Sequence, residues 1–234
     1  MPIPLKTGEV LRERYRIQER IAQGGMGNIY QADDMRLEGR KCALKEVEHD
    51  RNLPENVLRE AREQFLREAT VLARLDHPNL PKVSDFFSVG EKDYLVMDYV
   101  PGKDLRAMIL DARAHNTFLP EADVLDWVSQ LTDALTYLHN QDPPILHRDI
   151  KLGNIKISAD GQVYLVDFGL AKMGWEHEET MTGARAMTPG YSPPEQYGSA
   201  RTDARSDIYS LGATLYAALT GIIPEDSLIR AVDG

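Results

Sequence analysis

The apolar residues of the first hundred positions fall mainly in short runs, a pattern that predicts β-strands. Two of these runs flank the glycine cluster Gly24–Gly27, which indicates a strand–turn–strand unit. The predicted strand positions are Ile17, Ile21, Ile29–Tyr30, Cys42–Val47 and Tyr94–Met97. One helix is predicted between them, ended by His77-Pro78-Asn79. Its apolar positions are Leu58, Phe65, Ala69, Leu72 and Leu75.

The apolar spacing becomes mainly helical after Pro101-Gly102, which breaks the preceding run and is the predicted linker between two lobes. Gly221 is the predicted stop of the last helix. The predicted elements are a helix starting at Pro120, strands near Ile155–Ile157 and Val163–Val166, a loop from Asp167 to Glu195, and a helix from about Ser206 to Leu219.

Composition narrows the class of protein. The net charge of -10 argues against nucleic acid as a main partner, because phosphate backbones attract basic surfaces. The single cysteine, Cys42, excludes an internal disulfide, and its apolar neighbours favour a buried hydrophobe over a reactive thiol. Residues 1–10 lack a signal-peptide pattern, and the uncharged run Ile208–Pro224 is shorter than a membrane span, so a buried helix is expected there.

Candidate chemistry in the first part is weak when each motif is taken singly. The glycine cluster could cradle phosphate with its backbone N–H groups, or form a plain hairpin turn. Lys45 lies in an apolar strand and needs a charge partner, unless it reaches water at a strand edge. Glu68, on the following helix, could be that partner or one more solvated glutamate.

The second part carries sharper signals. The segment His147–Asn154 places a carboxylate, a cation and an amide between a helix and a strand. Asp167-Phe168-Gly169 follows an apolar strand, where a carboxylate beside glycine suits an exposed ligand for a hard cation. Asp160-Gly161 is better explained as a turn.

These motifs occur in the order of the protein kinase signature set, each on the expected kind of element. The chain resembles eukaryotic-like protein kinases, and most closely their bacterial Ser/Thr branch, through Gly24–Tyr30 and Tyr191–Gln196. The resemblance covers about Tyr15 to Ile223. It implies an α+β, two-lobed protein-kinase-like fold, with a small, mainly antiparallel β N-lobe carrying one long helix and a mainly α C-lobe. The implied limits are 1–97 for the N-lobe, 98–102 for the hinge and 103–234 for an incomplete C-lobe.

The resemblance implies roles for matching residues. Asp149 would orient and deprotonate the incoming hydroxyl, Lys151 would neutralise the transferred group, and Lys45 would grip phosphate while paired with Glu68. Asn154 and Asp167 would hold Mg²⁺, with Mn²⁺ as an alternative. The implied ATP site consists of Ala22, Gly24, Gly25, Gly27, Ile29, Ala43, Lys45, Met97, Asp98, Val100 and Lys156. By the same resemblance, Asp207 braces the catalytic loop, and Thr188 faces the substrate hydroxyl.

Some positions depart from the family pattern. Ala22 stands where the first glycine of the loop is usual, and Lys156 stands at a usually apolar position under the adenine ring. The Lys156 side chain either covers adenine with its methylenes or weakens nucleotide binding. The chain also stops early for a kinase domain, so we expect a fragment in which Glu195 lacks its usual arginine partner.

The resulting hypothesis is a protein Ser/Thr kinase that uses ATP and a protein substrate, in the cytoplasm, with a membrane tether elsewhere in the protein left open. The alternatives are a catalytically silent kinase-like binding or scaffold module, motivated by Lys156 and the early end, and a small-molecule phosphotransferase, which residues 188–195 disfavour. Neither the oligomeric state nor the physiological substrate follows from the sequence. Thr180 and Thr182 are predicted autophosphorylation sites, because Arg148 before Asp149 needs a counter-charge that a phosphate supplies.

Overall fold

The computed structural model describes residues 4–24, 27–48, 54–167, 187–197 and 202–233. The chain divides into two compact units. The first contains Met1–Asp76 and Pro81–Val100, and the second contains His77–Leu80 and Pro101–Gly234. The lobe limits expected from the sequence remain predictions.

The first unit is built on a six-stranded antiparallel sheet with the strand order β1-β2-β3-β4-β6-β5. The strands are β1 Val10–Leu11, β2 Tyr15–Gly24, β3 Gly27–Asp34, β4 Lys41–Glu48, β5 Val83–Val89 and β6 Lys92–Asp98. Strands β2 and β3 form a hairpin around the glycine cluster, with Gly24 paired to Gly27. The predicted strand–turn–strand unit is therefore confirmed.

One face of this sheet carries an aromatic and aliphatic core. Tyr15, Phe87 and Tyr94 stack in series, with ring centroids 5.6 and 5.3 Å apart. The other core residues are Leu11, Ile17, Tyr30, Ala32, Cys42, Leu44 and Val96. Cys42 is 1% exposed, and burial raises the pKa of its thiol to about 12, which confirms the expected buried hydrophobe.

A charged cluster lies at one end of the same core. The Arg14 guanidinium donates two hydrogen bonds to the buried Asp34 carboxylate, at 2.9 and 2.7 Å. Asp85 accepts from Arg14 at 3.4 Å and from the Tyr15 hydroxyl at 2.7 Å. The guanidinium lowers the pKa of Asp34, because the charged carboxylate accepts both donors.

Helix α1 spans Glu55–Leu72 and buries Phe65, Glu68, Ala69 and Leu72. It ends earlier than the sequence pattern predicts. Leu75 is buried beyond the helix end, in a turn where its N–H donates to the Leu72 carbonyl. Apolar spacing alone did not separate a last helical turn from the turn that follows it.

The second unit contains a small sheet and four helices among its described residues. The sheet has the order β7-β8-β9, formed by Lys103–Asp104, Ile155–Ile157 and Val163–Leu165. The helices are α2 Leu105–Ala114, α3 Glu121–His139, α4 Ala204–Thr220 and α5 Ser227–Asp233. Short 3₁₀ turns lie at Leu152–Asn154 and Pro194–Gln196.

Residues 77–80 belong to the second unit because of their polar contacts. The Asn79 amide donates to the Val163 carbonyl at 2.9 Å and to Gln130 at 3.1 Å. The Leu165 N–H donates to the Asn79 carbonyl at 2.9 Å. Asn79 therefore anchors this segment on the second sheet, a role that the sequence pattern did not reveal. The predicted helix stop at His77-Pro78-Asn79 is wrong, because α1 already ends at Leu72.

The helices of the second unit begin and end at recognisable signals. Asp203 caps α4 by accepting from the Arg205 N–H, and Gly221 ends it at φ 67°. Pro120 lies at the cap position of α3, directly before its first turn. Helices α2 and α5 were missed by the sequence pattern. In the part of the chain that is described, no helix is long and apolar enough to cross a membrane.

Candidate active site

The strand register of the first unit brings several predicted ATP-site residues onto one face of the sheet. Lys45 and Ala43 are two residues apart on β4, so they share a face. Ile29 lies opposite Lys45, Met97 lies opposite Ala43, and Ala22 lies opposite Ile29. Directly paired residues also share a face, so these five positions form one surface patch, set by backbone pairing.

Lys45 and Glu68 are both buried in the first unit, at 8% and 5% exposure. Strand β4 lies between β3 and β6, so the alternative of a lysine at a strand edge is wrong. The alternative of a solvated Glu68 is also wrong. Gln64 donates to the Glu68 carboxylate at 2.7 Å, which orients it on α1.

The predicted hinge residues follow β6. Asp98 ends this strand and accepts from Arg40 at 3.2 Å, while Val100 is buried at 6% exposure. The Asp98 N–H donates to the Lys82 carbonyl, so its backbone is held from the β5 side.

In the second unit, Asp207 organises the segment that carries Asp149. Its carboxylate is fully buried on α4 and accepts from the backbone N–H groups of His147, at 2.9 Å, and Arg148, at 2.8 Å. His139, the last residue of α3, contacts the same carboxylate at 2.9 Å. Arg148 adopts φ 62°, a left-handed conformation that costs about 1–3 kcal/mol for a non-glycine residue and that its N–H bond to Asp207 helps to hold.

The imidazole ring of His147 also helps to hold the segment that carries Asp149. It is completely buried, and burial lowers the pKa of its imidazole. Its Nε2 lies 3.3 Å from the Val166 carbonyl, which can only accept, and its Nδ1 lies 3.4 Å from the Asp149 N–H, which can only donate. Both contacts fit a neutral ring protonated at Nε2.

The Asp149 carboxylate is the centre of the polar cluster. Its Oδ2 accepts from Lys151 Nζ at 2.8 Å and from Asn154 Nδ2 at 2.9 Å, and its Oδ1 accepts from the Thr188 hydroxyl at 3.0 Å. Lys151 also contacts the Thr188 hydroxyl at 3.4 Å. A carboxylate, an ammonium and a hydroxyl thus meet at hydrogen-bond distance. A carboxylate within this reach of a hydroxyl meets the distance criterion for a general base.

Asn154 and Asp167 have the donor chemistry of a hard-cation site. Asn154 Nδ2 donates to the Asp149 backbone carbonyl at 2.8 Å as well as to its carboxylate, so its amide oxygen is turned away from Asp149. Asp167 follows β9 at φ 63°. Within the described ranges, no group of three or more His, Cys, Asp or Glu side chains could hold a metal ion. One carboxylate and one amide oxygen nevertheless fit Mg²⁺, which takes its remaining ligands from water and phosphate.

Lys156 lies on β8, paired with Asp104 of β7 and Tyr164 of β9. Burial lowers the pKa of its ammonium, partly offset by the Asp104 carboxylate. The Lys156 side chain is half-buried, so part of it is exposed to solvent and part is packed against the protein. Its effect on a nucleotide stays a prediction.

The segment 187–197 presents Thr188 to Asp149. The Ser192 hydroxyl accepts from the Thr188 N–H at 3.0 Å, and the Tyr191 and Ser192 N–H groups both donate to the Thr188 carbonyl. Ser210 of α4 donates to the Tyr191 carbonyl at 2.9 Å. Glu195, expected to lack its arginine, accepts from the Ser206 hydroxyl at 2.6 Å.

Some predicted residues lie outside the described part of the chain. They are Gly25 of the glycine cluster, Phe168-Gly169 after Asp167, and the predicted phosphorylation sites Thr180 and Thr182.

Sequence reasoning missed several contacts of the candidate site. Nothing in the sequence pointed to His139 as a partner of Asp207, since a histidine in a last helical turn is ordinary. The Gln196 amide lies 3.4 Å from the Arg148 carbonyl, and the Asn154 amide holds Asp149. The contacts of His139 and Gln196 join residues 68 and 48 positions apart, so spacing carries no signal of them.

Comparison with known proteins identifies the class. Residues 15–229 match the protein kinase domain. The chain therefore belongs to the protein kinase family, whose members are ATP-dependent phosphotransferases, and the α+β, two-lobed kinase fold expected from the sequence is confirmed.

The relatives are bacterial serine/threonine kinases. The chain is 34% identical over 222 residues to the probable serine/threonine-protein kinase PknB of Lactococcus lactis, covering 95% of the chain and 34% of that protein. It is 36% identical over 224 residues to PknA of Mycobacterium tuberculosis, covering 94% of the chain and 49% of PknA. The expected resemblance to bacterial Ser/Thr kinases is confirmed.

Solved structures of protein kinases also resemble this chain. The PknI kinase domain of Mycobacterium tuberculosis superposes with a TM-score of 0.72 at 28% identity, over 96% of this chain and 80% of that one. The apo form of PpkA gives a TM-score of 0.77 at 29% identity, over 98% and 83%. The chain spans about a third of the L. lactis relative and about half of PknA.

Proposed function

We propose that this chain is the catalytic domain of an active protein kinase that transfers the γ-phosphoryl group of ATP to a serine or threonine hydroxyl of a protein. The observation that carries the proposal is the cluster around Asp149, in which Lys151, Asn154 and the Thr188 hydroxyl all donate to one carboxylate. Every group that the transfer needs lies in the family motifs, which disfavours the alternative of a catalytically silent module.

In this mechanism the substrate hydroxyl donates its hydrogen bond to Asp149. The hydroxyl oxygen forms a bond to the γ-phosphorus while the bond from that phosphorus to the bridging oxygen of ADP breaks. Asp149 accepts the hydroxyl proton, and the ammonium of Lys151, 2.8 Å from Asp149, offsets negative charge on the transferred group. Thr188 positions the acceptor residue next to Asp149.

The sheet residues hold the nucleotide. Lys45 supplies a positive charge to the phosphates, and Glu68 orients it. The backbone N–H groups of the glycine-rich turn approach the phosphates. The adenine ring lies against the patch of Ala22, Ile29, Ala43 and Met97, near the hinge positions Asp98 and Val100, all in the first unit.

A divalent cation, Mg²⁺ or alternatively Mn²⁺, would be held by the Asn154 amide oxygen and the Asp167 carboxylate. When bound, it supplies positive charge to the phosphate oxygens. Support comes from the orientation of Asn154, whose Nδ2 makes both donations to Asp149.

The direct test measures transfer from γ-labelled ATP to peptides whose sole hydroxyl is Ser, Thr or Tyr. We expect labelling of Ser and Thr peptides, and loss of labelling with a chelator. Asp167→Asn should remove activity, whereas Asp160→Asn, an exposed turn residue in the same unit, should leave it unchanged. Equal activity of both variants, or transfer that ignores the chelator, would overturn the metal assignment. Absence of transfer to all of these peptides would favour the silent module.

Two finer features belong to the same proposal. The substrate protein and the kinase meet in the cytoplasm, where ATP is available. Autophosphorylation at Thr180 or Thr182 provides the counter-charge for Arg148. Mass spectrometry after incubation with ATP and Mg²⁺ tests this: an active enzyme without phosphate on either threonine contradicts it.

A further inference from the structure

A buried carboxylate lies on the sheet face opposite Lys45. Glu46 is the next residue along β4, so its side chain points to the opposite face, and it is 1% exposed. Its surroundings on that face include the aromatic core residues Tyr30 and Tyr94. The proposed transfer mechanism assigns no role to this carboxylate.

Three side chains on the two neighbouring strands, β3 and β6, donate to Glu46. The Asn28 amide of β3 donates to its Oε1 at 2.8 Å. On β6, Lys92 Nζ donates to its Oε2 at 2.9 Å, and the Tyr94 hydroxyl donates to the same oxygen at 3.2 Å. Both carboxylate oxygens are therefore engaged, and burial of the charge is compensated.

Such a charge is a costly way to stabilise a sheet. Well-packed apolar residues of similar volume often give equal or greater stability, because two buried charges lose their hydration. Directed hydrogen bonds do, however, fix the relative position of the strands that they join more closely than apolar contacts do. The hydrogen bonds around Glu46 thus favour a role in fixing the relative position of β3, β4 and β6.

The strand that Glu46 holds through Asn28 is the one that leaves the glycine-rich turn. Asn28 directly follows Gly27, which adopts φ 140°. A Cβ atom at Gly27 would lie 2.1 Å from the Glu46 carbonyl oxygen, so the backbones touch at this point. Glu46 therefore contacts the end of the turn twice, by its carbonyl at Gly27 and by its carboxylate at Asn28.

We propose that Glu46 is a positioning residue for ATP phosphate binding, which fixes the returning end of the glycine-rich turn through Asn28 relative to Lys45. Lys45 and Glu46 are neighbours on one strand, so the strand that presents the phosphate-binding ammonium also holds the turn. The proposal rests on the proposed function, because it assigns the turn and Lys45 to the phosphates of ATP.

The test compares ATP with adenosine, which lacks the phosphates. Asn28→Leu keeps the approximate size of the side chain and removes its donor. We expect about fivefold or more loss of ATP affinity, and adenosine affinity within about twofold, as judged by calorimetric titration. The matched control is Ser88→Ala, which removes a donor to the buried Asp93 carboxylate across the β5–β6 pair of the same sheet. It should leave both affinities unchanged.

Each possible result either supports or overturns the proposed role of Glu46. Equal losses for ATP and adenosine, or the same loss in Ser88→Ala, would show a general structural role and overturn the proposal. Unchanged ATP affinity in Asn28→Leu would also overturn it. Should Asn28→Leu not fold, Glu46→Gln carries the same expectation, since its single amide oxygen serves either Asn28 or Lys92 but not both. A wild-type chain that does not bind ATP would instead contradict the proposed function.

Discussion

The two units of this kinase domain position their functional residues by different physical means. In the sheet unit, Lys45, Ile29 and Met97 are placed by strand register, so backbone hydrogen bonds decide where they lie. In the helical unit, the segment from His147 to Asp149 has no regular structure. Its position depends on a few side chains, mainly Asp207 and His147, that bond to its backbone.

Because of this difference, side-chain substitutions should affect function and stability differently in the two units. A ladder of backbone bonds is shared among many residues, so a side-chain change on the sheet leaves the backbone in place. A segment held by a few buried side chains depends strongly on each of them, because the loss of Asp207 leaves buried donors unsatisfied. Substitutions in the first unit should therefore change function with little loss of stability, whereas those in the second should change both.

The largest effect is expected for Asp149→Asn. The amide cannot accept the substrate proton, so turnover should fall about 10²–10⁴-fold. Because Asp149 also accepts from Lys151 and Asn154, the melting temperature should fall as well. Steady-state kinetics and thermal denaturation measure both. Near-normal turnover would exclude Asp149 as the base.

Asp207→Ala should destabilise the second unit most. It leaves the N–H groups of His147 and Arg148 without their acceptor, at a cost of about 1–3 kcal/mol for each buried donor. Asp203→Ala, which removes the exposed cap of the same helix, should cost only about 1 kcal/mol. Thermal denaturation of both variants provides the comparison. Similar losses would mean that Asp207 is not a special anchor.

Lys45→Met tests whether a substitution in the sheet unit removes function with little loss of stability. Methionine keeps much of the apolar stem and removes the ammonium, so turnover should fall about 10²–10³-fold. Far-UV circular dichroism should stay at the wild-type level, since β3 and β6 still flank β4. A variant that loses its fold would contradict the distinction drawn between the two units.

The buried His147 predicts a pH dependence of stability. Its pKa is lowered by burial, so below pH about 6.5 the unfolded chain binds a proton that the folded chain does not. Stability should therefore decrease as the pH falls from about 6.5, by up to about 1.4 kcal/mol per pH unit, until the folded-state pKa is passed. Urea titrations at pH 5.5 and 7.5 test this. His147→Asn should reduce the dependence, and an unchanged slope would exclude His147 as its source.

The smallest effect is expected for Lys156→Leu. Burial lowers the pKa of the Lys156 ammonium, which means that its charge is poorly solvated. Leucine avoids the free-energy cost of burying this charge, so the melting temperature should rise slightly and ATP affinity should not fall. Weaker ATP binding would show instead that the lysine methylenes or its charge contribute to the nucleotide site.

Most of the fold could be predicted from the sequence where the local signal was strong. The hairpin at Gly24–Gly27, the long α1 and the last long helix with its Gly221 stop were all found. Helix α2 was missed, and α1 was extended past Leu72 to Leu75. In both places packing in the folded chain, and not apolar spacing, decides where the helix lies.

The sequence by itself determined which chemical groups this protein carries, because the kinase motifs are contiguous in the chain and each has its own order and spacing. Strand alternation also placed Lys45 and Glu46 on opposite faces. Only the tertiary structure decided which groups meet: Thr188 with Asp149, His139 with Asp207, and Asn28 with Glu46. These pairs are 18 to 68 residues apart in the chain, and they form only when the packing of strands and helices brings their polar atoms within hydrogen-bond distance.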